Sequence, residues 1–201
     1  MNLTSAQEHL LHAHQYFGRH TEGYQTWGRV TFQQIGIRVD RNNILISHPS
    51  LPLSAQTTED YRLISIKGNT YFQKIFFWKR NIQVVFITQQ EFASQIKNTI
   101  PPILDDQAQL LGVSVKITRY PKDILRTLFS RYATILDTGE SICIGRTFED
   151  AFVAAQLLEK TAKAWIEAQY LGGAKSINRI EAWAMQQFYL LKYSKEAQKN
   201  K

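Results

Sequence analysis

The residues of this 201-residue sequence that are best suited to chemistry are those that recognise anions. In the stretch Thr26-Trp27-Gly28-Arg29-Val30-Thr31, two hydroxyls and a guanidinium surround a glycine that lets backbone amides approach a ligand. His48-Pro49-Ser50 offers a second small polar turn. Either segment could hold a phosphate, and either also fits an ordinary turn that enters a strand. The candidate anion-binding residues are Thr26, Gly28, Arg29, Thr31 and Ser50.

Groups for acid–base or nucleophilic catalysis are sparse in the middle of the chain. No acidic residue occurs between Asp60 and Glu91, so this stretch cannot supply a carboxylate base. The single cysteine, Cys143, lies in the apolar run SICIG, and burial there would raise the pKa of its thiol. We interpret Cys143 as a core residue of a protein from a reducing compartment. Nucleophile elbows, Walker loops and dinucleotide fingerprints do not occur in the sequence, and no catalytic residue is predicted.

The histidines do not form a pattern that is typical of metal ligation. His9, His12 and His14 fall within one predicted helix, and after His20 and His48 the chain contains no further imidazole. A metal site needs several ligands that converge from fixed offsets, and these residues do not provide them. We assign them surface or packing roles, and the sequence predicts neither a metal nor another cofactor.

The composition indicates one globular domain over residues 1–201, with a polar tail from about residue 195. Hydrophobic residues make up 44% of the chain and charged residues 20%, close to globular averages. No apolar stretch approaches the roughly 20 residues that span a bilayer, and the N-terminus lacks a signal-peptide pattern, so we expect a cytoplasmic protein without a membrane partner. The net charge of +7 is scattered except at 78–80 and 192–201, so a solvated surface is favoured over nucleic-acid binding.

Helix and strand signals alternate along the chain. A capping box that begins at Ser5 and apolar residues at helical spacing predict a helix over 5–17, and short β-prone runs follow between 28 and 66. We expect these runs to form antiparallel strands. A helix over 70–80, a strand over 82–88, a helix over 91–98 and further strands in KITRY and ATILDTGESICIG come next.

The C-terminal quarter carries two predicted helices. Thr147 can cap a helix that ends near Leu171-Gly172-Gly173, since glycine tolerates the positive φ of a helix terminus. A last helix over 177–194 carries apolar side chains on one face, and its end is polar and expected to fray. These apolar residues are Ile180, Trp183, Ala184, Phe188 and Leu191.

Several segments together resemble the class II aldolase/adducin family, which includes sugar-phosphate aldolases and epimerases and the adducin head domain. IPPILDDQAQLLGVSVKI (100–117) is similar to the family's Pro-Pro-hydrophobic segment, and IGRTFEDAFVAAQLLEKTAKAWIEAQYLGG (144–173) to its Gly-Lys-Thr-Leu-Glu-Glu-Ala-Phe helix. TWGRVT resembles Thr-x-Gly-Asn-x-Ser on the phosphate side, and HPSL followed by TTEDY resembles Thr-Pro-Ser-Gly followed by Thr-Pro-Glu-Asp-Leu. The order and spacing agree over about residues 5–185.

The resemblance implies an α/β protein with a three-layer class II aldolase-like fold, a central and mostly antiparallel sheet flanked by helices, and a homo-oligomer that is commonly a tetramer. It also implies that the family's metal-binding histidines have been replaced. Two of them correspond to Ile87 and Gln89, and a third falls near Thr138 and Gly139. The family's catalytic glutamate should lie near residues 68–73, where no acid occurs, and Arg29 replaces its phosphate-side asparagine.

Four functions are compatible with these departures. The first is a non-catalytic, metal-free binding or assembly domain, because Ile87 contributes no lone pair and Gln89 alone is a poor zinc ligand. The second is a binder of sugar phosphates or other small anions, since an arginine at position 29 strengthens anion binding. An active aldolase or epimerase would need a relocated metal site, formed by His48 or by His9 and His12 of a neighbouring subunit. Nucleic-acid binding through the basic tail is the fourth.

Overall fold

Seven β-strands form a single mixed sheet within the part of the chain that the structure, a computed structural model, describes. The described residues are 27–49, 51 and 56–199, and side chains are described for these residues except Thr58 and 193–199. The predicted first helix with its histidines, and the candidates Thr26 and Ser50, lie outside the described residues.

The strands are short, and the two longest helices follow the last strand. In chain order the strands are β1 (Val30–Arg38), β2 (Asn43–Ile46), β3 (Arg62–Ser65), β4 (Val84–Gln90), β5 (Lys116–Thr118), β6 (Ala133–Leu136) and β7 (Glu140–Gly145). The α-helices are α1 (Tyr71–Trp78), α2 (Ile124–Thr127), α3 (Phe148–Tyr170) and α4 (Arg179–Lys199). Single 3-10 turns occur at Thr58–Asp60, Ala93–Gln95 and Pro121–Asp123, and a π-helical turn occurs at Gln107–Leu111.

The strand order across the sheet is β3-β2-β1-β4-β7-β6-β5. All neighbouring pairs are antiparallel except β5 and β6, which run parallel. Strand β4 lies at the centre, between β1 and β7, and its residues are buried except Gln89. The predicted sheet, central and mostly antiparallel, is therefore confirmed.

Helices cover the sheet on both faces, which gives the predicted three layers. On one face, Phe86 and Cys143 pack beneath Phe152 and Leu158 of α3. On the other face, Val85 and other strand residues pack against α1 and α2. Cys143 is fully buried, and burial raises the pKa of its thiol to about 12, so its predicted place in the core is confirmed.

Local capping interactions explain where two of the predicted helices begin. The Thr70 hydroxyl accepts a hydrogen bond from the Gln73 amide at the start of α1, and the Gln73 side chain accepts one from the Thr70 amide. Thr147 caps α3 by accepting a hydrogen bond from the Asp150 amide at 3.1 Å. Across the described part of the chain, none of the helices combines the length and apolarity that a membrane crossing requires.

Three elements differ from the sequence prediction, two in where they end and one in whether it forms. Strand β4 ends at Gln90 rather than at residue 88, because its polar end continues the ladders with both neighbouring strands. The predicted helix over 91–98 is wrong, since only the turn Ala93–Gln95 is helical. Helix α4 continues to Lys199, beyond the predicted end at 194 and through most of the polar tail.

Candidate functional site

Three polar side chains form a row across the centre of the sheet. Gln89 at the end of β4 is directly opposite Thr31 of β1 and Glu140 of β7. Side chains of directly opposed residues project from the same face of a sheet. Thr31 and Gln89 are exposed and Glu140 is half-buried, so this polar row is accessible at the edge of an otherwise apolar layer.

The row borders a small cavity whose lining includes one arginine, Arg29, and one carboxylate, Glu91. The cavity has a volume of about 380 Å³, and the Arg29 guanidinium lines it without an ion-pair partner among the described residues. The Arg29 amide, by contrast, already donates to the Glu91 carboxylate at 3.0 Å. The lining therefore offers an incoming anion the Arg29 guanidinium and the Thr31 hydroxyl as donors, beside the Glu91 carboxylate. The lining residues are Arg29, Thr31, Gln89, Gln90, Glu91 and Ser94.

A buried acid behind the cavity holds one of its walls in place. Glu159 of α3 is fully buried, and its two carboxylate oxygens accept hydrogen bonds from the Phe92 amide at 2.7 Å and the Ala93 amide at 3.0 Å. Burial raises the pKa of Glu159, and the two amide hydrogen bonds oppose that rise. Glu159 therefore fixes the turn that follows β4 to helix α3.

Gly28 is required by packing against this acid. A Cβ at position 28 would overlap the Glu159 carboxylate and would lie 2.8 Å from Cδ2 of Phe92. The φ of Gly28 is +155°, a conformation that other residues rarely adopt. The glycine that the sequence places in an anion-binding turn thus also has a structural reason to be glycine.

The positions that the sequence resemblance assigns to the family's metal ligands do not offer a donor set for a divalent ion. Ile87 is only 8% exposed and packs with Ile142 in the apolar cluster between the sheet and α1. Gln89 offers one neutral amide oxygen, and Gly139 has no side chain. No group of three or more His, Cys, Asp or Glu residues suited to a metal ion occurs among the described residues. These side chains do not fit the family's metal.

A helix starts in the stretch to which the sequence resemblance assigns the family's glutamate, residues 68–73. Gln73 is committed to the cap of α1, and its Nε2 also donates to the carbonyl oxygens of Ser65 and Lys67. Tyr71 has its pKa raised by burial and then by the nearby charges of Asp137 and Glu140. The carboxylates near the start of α1 are thus those of Asp137 and Glu140, from the turn between β6 and β7.

The structure brings together some of the predicted site residues and separates others. Arg29, Thr31 and Gln89 line one cavity. Gly139 adopts a φ of +97° in the β6–β7 turn, where an added Cβ would lie 3.5 Å from the Ser94 carbonyl oxygen of the turn after β4. His48 is half-buried, and its carbonyl oxygen accepts a hydrogen bond from Gln56.

Sequence reasoning missed the acidic residues that surround this site. Asp137, Glu140 and Glu159 are not among the predicted site residues, although Asp137 and Glu140 flank Thr138-Gly139. Because they flank a predicted turn, the sequence could have indicated that these carboxylates lie near the site. The role of Glu159 had no local signal, because its partners lie 66 and 67 residues away in the chain.

Comparison by sequence gives no relative, whereas comparison by structure gives a consistent group. No protein-family model and no curated protein matches the sequence. An L-fuculose 1-phosphate aldolase aligns with a TM-score of 0.73 at 14% identity, covering 94% of this chain and 97% of its own. YgbL from Klebsiella pneumoniae, a putative aldolase/epimerase/decarboxylase, aligns with a TM-score of 0.69 at 13% identity, covering 89% of this chain and 96% of its own.

A third neighbour gives the same result. The L-fuculose-1-phosphate aldolase of Thermus thermophilus aligns with a TM-score of 0.64 at 17% identity. The alignment covers 84% of this chain and 100% of the aldolase chain. The three alignments cover 84% to 94% of this chain rather than one motif. The chain therefore has the class II aldolase fold that the sequence resemblance predicts.

Proposed function

We propose that this chain is a class II aldolase-like domain that binds a small anion and does not perform metal-dependent aldol cleavage. The observation that supports it best is the environment of Ile87, whose side chain packs in an apolar cluster at a position that the sequence resemblance assigns to a metal ligand of the family. Aldol cleavage in this family needs a metal to polarise the carbonyl and to stabilise the enediolate. Neither Ile87 nor Gly139 can donate an electron pair from a side chain.

The remaining polar groups are suited to binding. The Arg29 guanidinium, which is planar and always charged, can hold a phosphate or a carboxylate through two parallel hydrogen bonds. Thr31 adds a hydroxyl donor on the same wall of the cavity. Gln90 belongs to the lining as well, but its side chain projects from the opposite face of the sheet, where its Nε2 donates to the Ala155 carbonyl oxygen of α3 at 3.0 Å. The ligand contacts are therefore assigned to Arg29 and Thr31.

Zinc retention tests the metal-free half of the proposal. The purified protein is incubated with zinc and dialysed, and the bound metal is measured by mass spectrometry. We expect well below one zinc ion per chain, because the donor set at Ile87, Gln89 and Gly139 is deficient. Stoichiometric zinc that survives dialysis, or sugar-phosphate cleavage that EDTA abolishes, would contradict the proposal and favour a relocated metal site.

Thermal shift measurements test the anion-binding half. Sugar phosphates at millimolar concentration should raise the melting temperature of the wild-type protein, and Arg29→Ala should reduce that shift. Arg62→Ala is the matched control, since Arg62 is an exposed arginine on edge strand β3 and does not line the cavity. An equal shift in the Arg29→Ala variant would show that the anion binds elsewhere.

A second inference concerns assembly, and an apolar face of α4 motivates it. Ile180 is 76% exposed, Trp183 56% and Phe188 74%. Together they supply roughly half of the ~800 Å² that each partner buries in a standard interface. We infer that a second copy of this chain covers this face, since two-fold symmetric self-association is the commonest form of oligomer.

A further inference from the structure

A second cavity lies at the opposite end of the sheet from the candidate site. It has a volume of about 750 Å³ and is bounded by the β1–β2 turn, by the end of α1 and by the segment after β3. Arg38 ends β1, whereas Val30 begins it, so the two cavities are separated by roughly 26 Å along that strand. This volume is within the range of about 300–1,000 Å³ that small-molecule sites occupy.

Three arginines give the second cavity its charge. Arg38, Arg41 and Arg80 all line it, and none of them forms an ion pair within the described ranges 27–49, 51 and 56–199. Proximity of Arg80 contributes, after burial, to a lowered pKa of Arg38, which is the expected effect of like charges held close together. These positive charges repel one another, and an anion placed between them would relieve the repulsion.

Arg38 has a structural task, which leaves the other two arginines for a ligand. Its Nε donates to the Ile82 carbonyl oxygen at 3.0 Å, and its Nη2 donates to the carbonyl oxygens of Phe76 at 2.5 Å and Lys79 at 3.3 Å. Arg38 therefore ties β1 to the end of α1. The Arg41 and Arg80 side chains are exposed, and no hydrogen bond to a described residue holds either of them.

The one carboxylate in the lining does not neutralise these arginines. Oδ1 of Asp40 accepts hydrogen bonds from the Asn42 amide at 2.7 Å and the Asn43 amide at 2.8 Å, and Oδ2 accepts one from Asn43 Nδ2 at 2.9 Å. The hydrogen bonds from Asn43 and Asn42 lower the pKa of Asp40, so it stays ionised but is turned into its own loop. Three guanidinium groups against one carboxylate leave the cavity with a positive charge.

The remaining wall is apolar. Phe77 is 46% exposed at the cavity, and Ile66 lies beside it in the lining. An exposed aromatic ring next to guanidinium groups can contact a planar or apolar group while the arginines hold a charged one. The wall therefore favours a ligand that carries an organic group beside its anion.

We propose that this cavity binds a small organic phosphate, with the phosphate held by Arg41 and Arg80 and the organic group placed against Phe77. The guanidinium fork matches the geometry of a phosphate, and two forks at one cavity favour a diphosphate over a monophosphate. The site is separate from the one around Arg29 and does not depend on the function proposed for it.

Calorimetric titration of the full chain with adenosine diphosphate, pyrophosphate and adenosine tests the proposal. We expect adenosine diphosphate to bind more tightly than pyrophosphate and adenosine to bind weakly. The double variant Arg41→Gln/Arg80→Gln should lower the affinity for both phosphates by at least about tenfold, since each ligand loses charge-assisted hydrogen bonds. Phe77→Ala should lower the affinity for adenosine diphosphate about fivefold and leave the affinity for pyrophosphate unchanged.

The double variant separates this site from the one around Arg29, which it leaves intact, and a further control addresses general charge effects. Arg62→Gln should leave the affinity for adenosine diphosphate unchanged, and the melting temperature of each variant confirms that it is folded. Absence of binding at millimolar concentration, or equal affinity in the double variant, would overturn the proposal. An affinity for single-stranded RNA that rises with length beyond the cavity would also overturn it, because it would indicate an open polyanion surface.

Discussion

The buried carboxylate of Glu159 links helix α3 to the turn that follows the central strand. Its two oxygens accept the hydrogen bonds of the Phe92 and Ala93 amides. Its elevated pKa has a direct consequence for stability. Between the ordinary pKa of a glutamate, about 4.3, and the raised value, the native protein retains a proton that the unfolded chain has released. Stability must therefore fall as the pH rises through that window.

Replacing Glu159 by glutamine should remove this pH dependence. The free energy of unfolding of the wild type minus that of Glu159→Gln should be largest near pH 4.5 and should decrease as the pH rises, by about 1.4 kcal/mol for each unit by which the pKa is raised. Urea denaturation of both proteins between pH 4.5 and 7 measures the difference. A difference that does not change with pH would contradict the raised pKa.

Gly28 offers an independent test of the same contact. The variant Gly28→Ala should lower the free energy of unfolding by about 1–3 kcal/mol, because its methyl group would overlap the Glu159 carboxylate and the Phe92 ring. Gly172→Ala is the matched control for positive φ, since φ there is +100° and a Cβ would meet nothing within 4 Å. If both variants lose the same stability, backbone strain rather than the contact with Glu159 explains the glycine.

The elements whose ends are set by neighbouring residues were predictable from the sequence, and those whose ends depend on distant residues were not. Helix α3 begins where its capping threonine predicts, and α1 follows the predicted segment over 70–80 closely. The predicted helix over 91–98 fails because the backbone becomes extended at Ile96, whose side chain is buried in the core cluster beneath α3. The Ser94 and Gln95 side chains donate to the Glu91 carbonyl oxygen, which favours a tight turn.

The cap of α3 can be tested by removing its hydroxyl. Thr147→Val should lower the free energy of unfolding by about 1 kcal/mol, because the Asp150 amide loses its acceptor while the side chain keeps its shape. Thr99→Val serves as the control, since Thr99 is also exposed and no described hydrogen bond involves its side chain. Chemical denaturation measures both, and a loss in Thr147→Val no larger than in the control would contradict the capping role.

The orientation of α4 determines which surface the folded chain presents to partners. The sequence places Ile180, Trp183 and Phe188 on one helical face, and the structure leaves that face exposed. The opposite side is fixed by the small residue Ala182, which is fully buried, and by Gln186, whose Nε2 donates to the Ser130 carbonyl oxygen at 2.9 Å. An apolar stripe alone does not reveal which of these sides a helix buries.

If this face joins two copies of the chain, its disruption should change the mass of the particle in solution. We expect the wild type to sediment as a dimer or a larger oligomer at micromolar concentration, and Trp183→Gln combined with Phe188→Gln to sediment as a monomer of 23.3 kDa. Removal of the two aromatic side chains takes away the largest apolar contact area of the face. Analytical ultracentrifugation distinguishes these species, with Phe129→Gln as the control because Phe129 is 73% exposed and lies outside α4. A wild-type protein that remains monomeric, or a variant that retains the wild-type mass, would contradict self-association through α4.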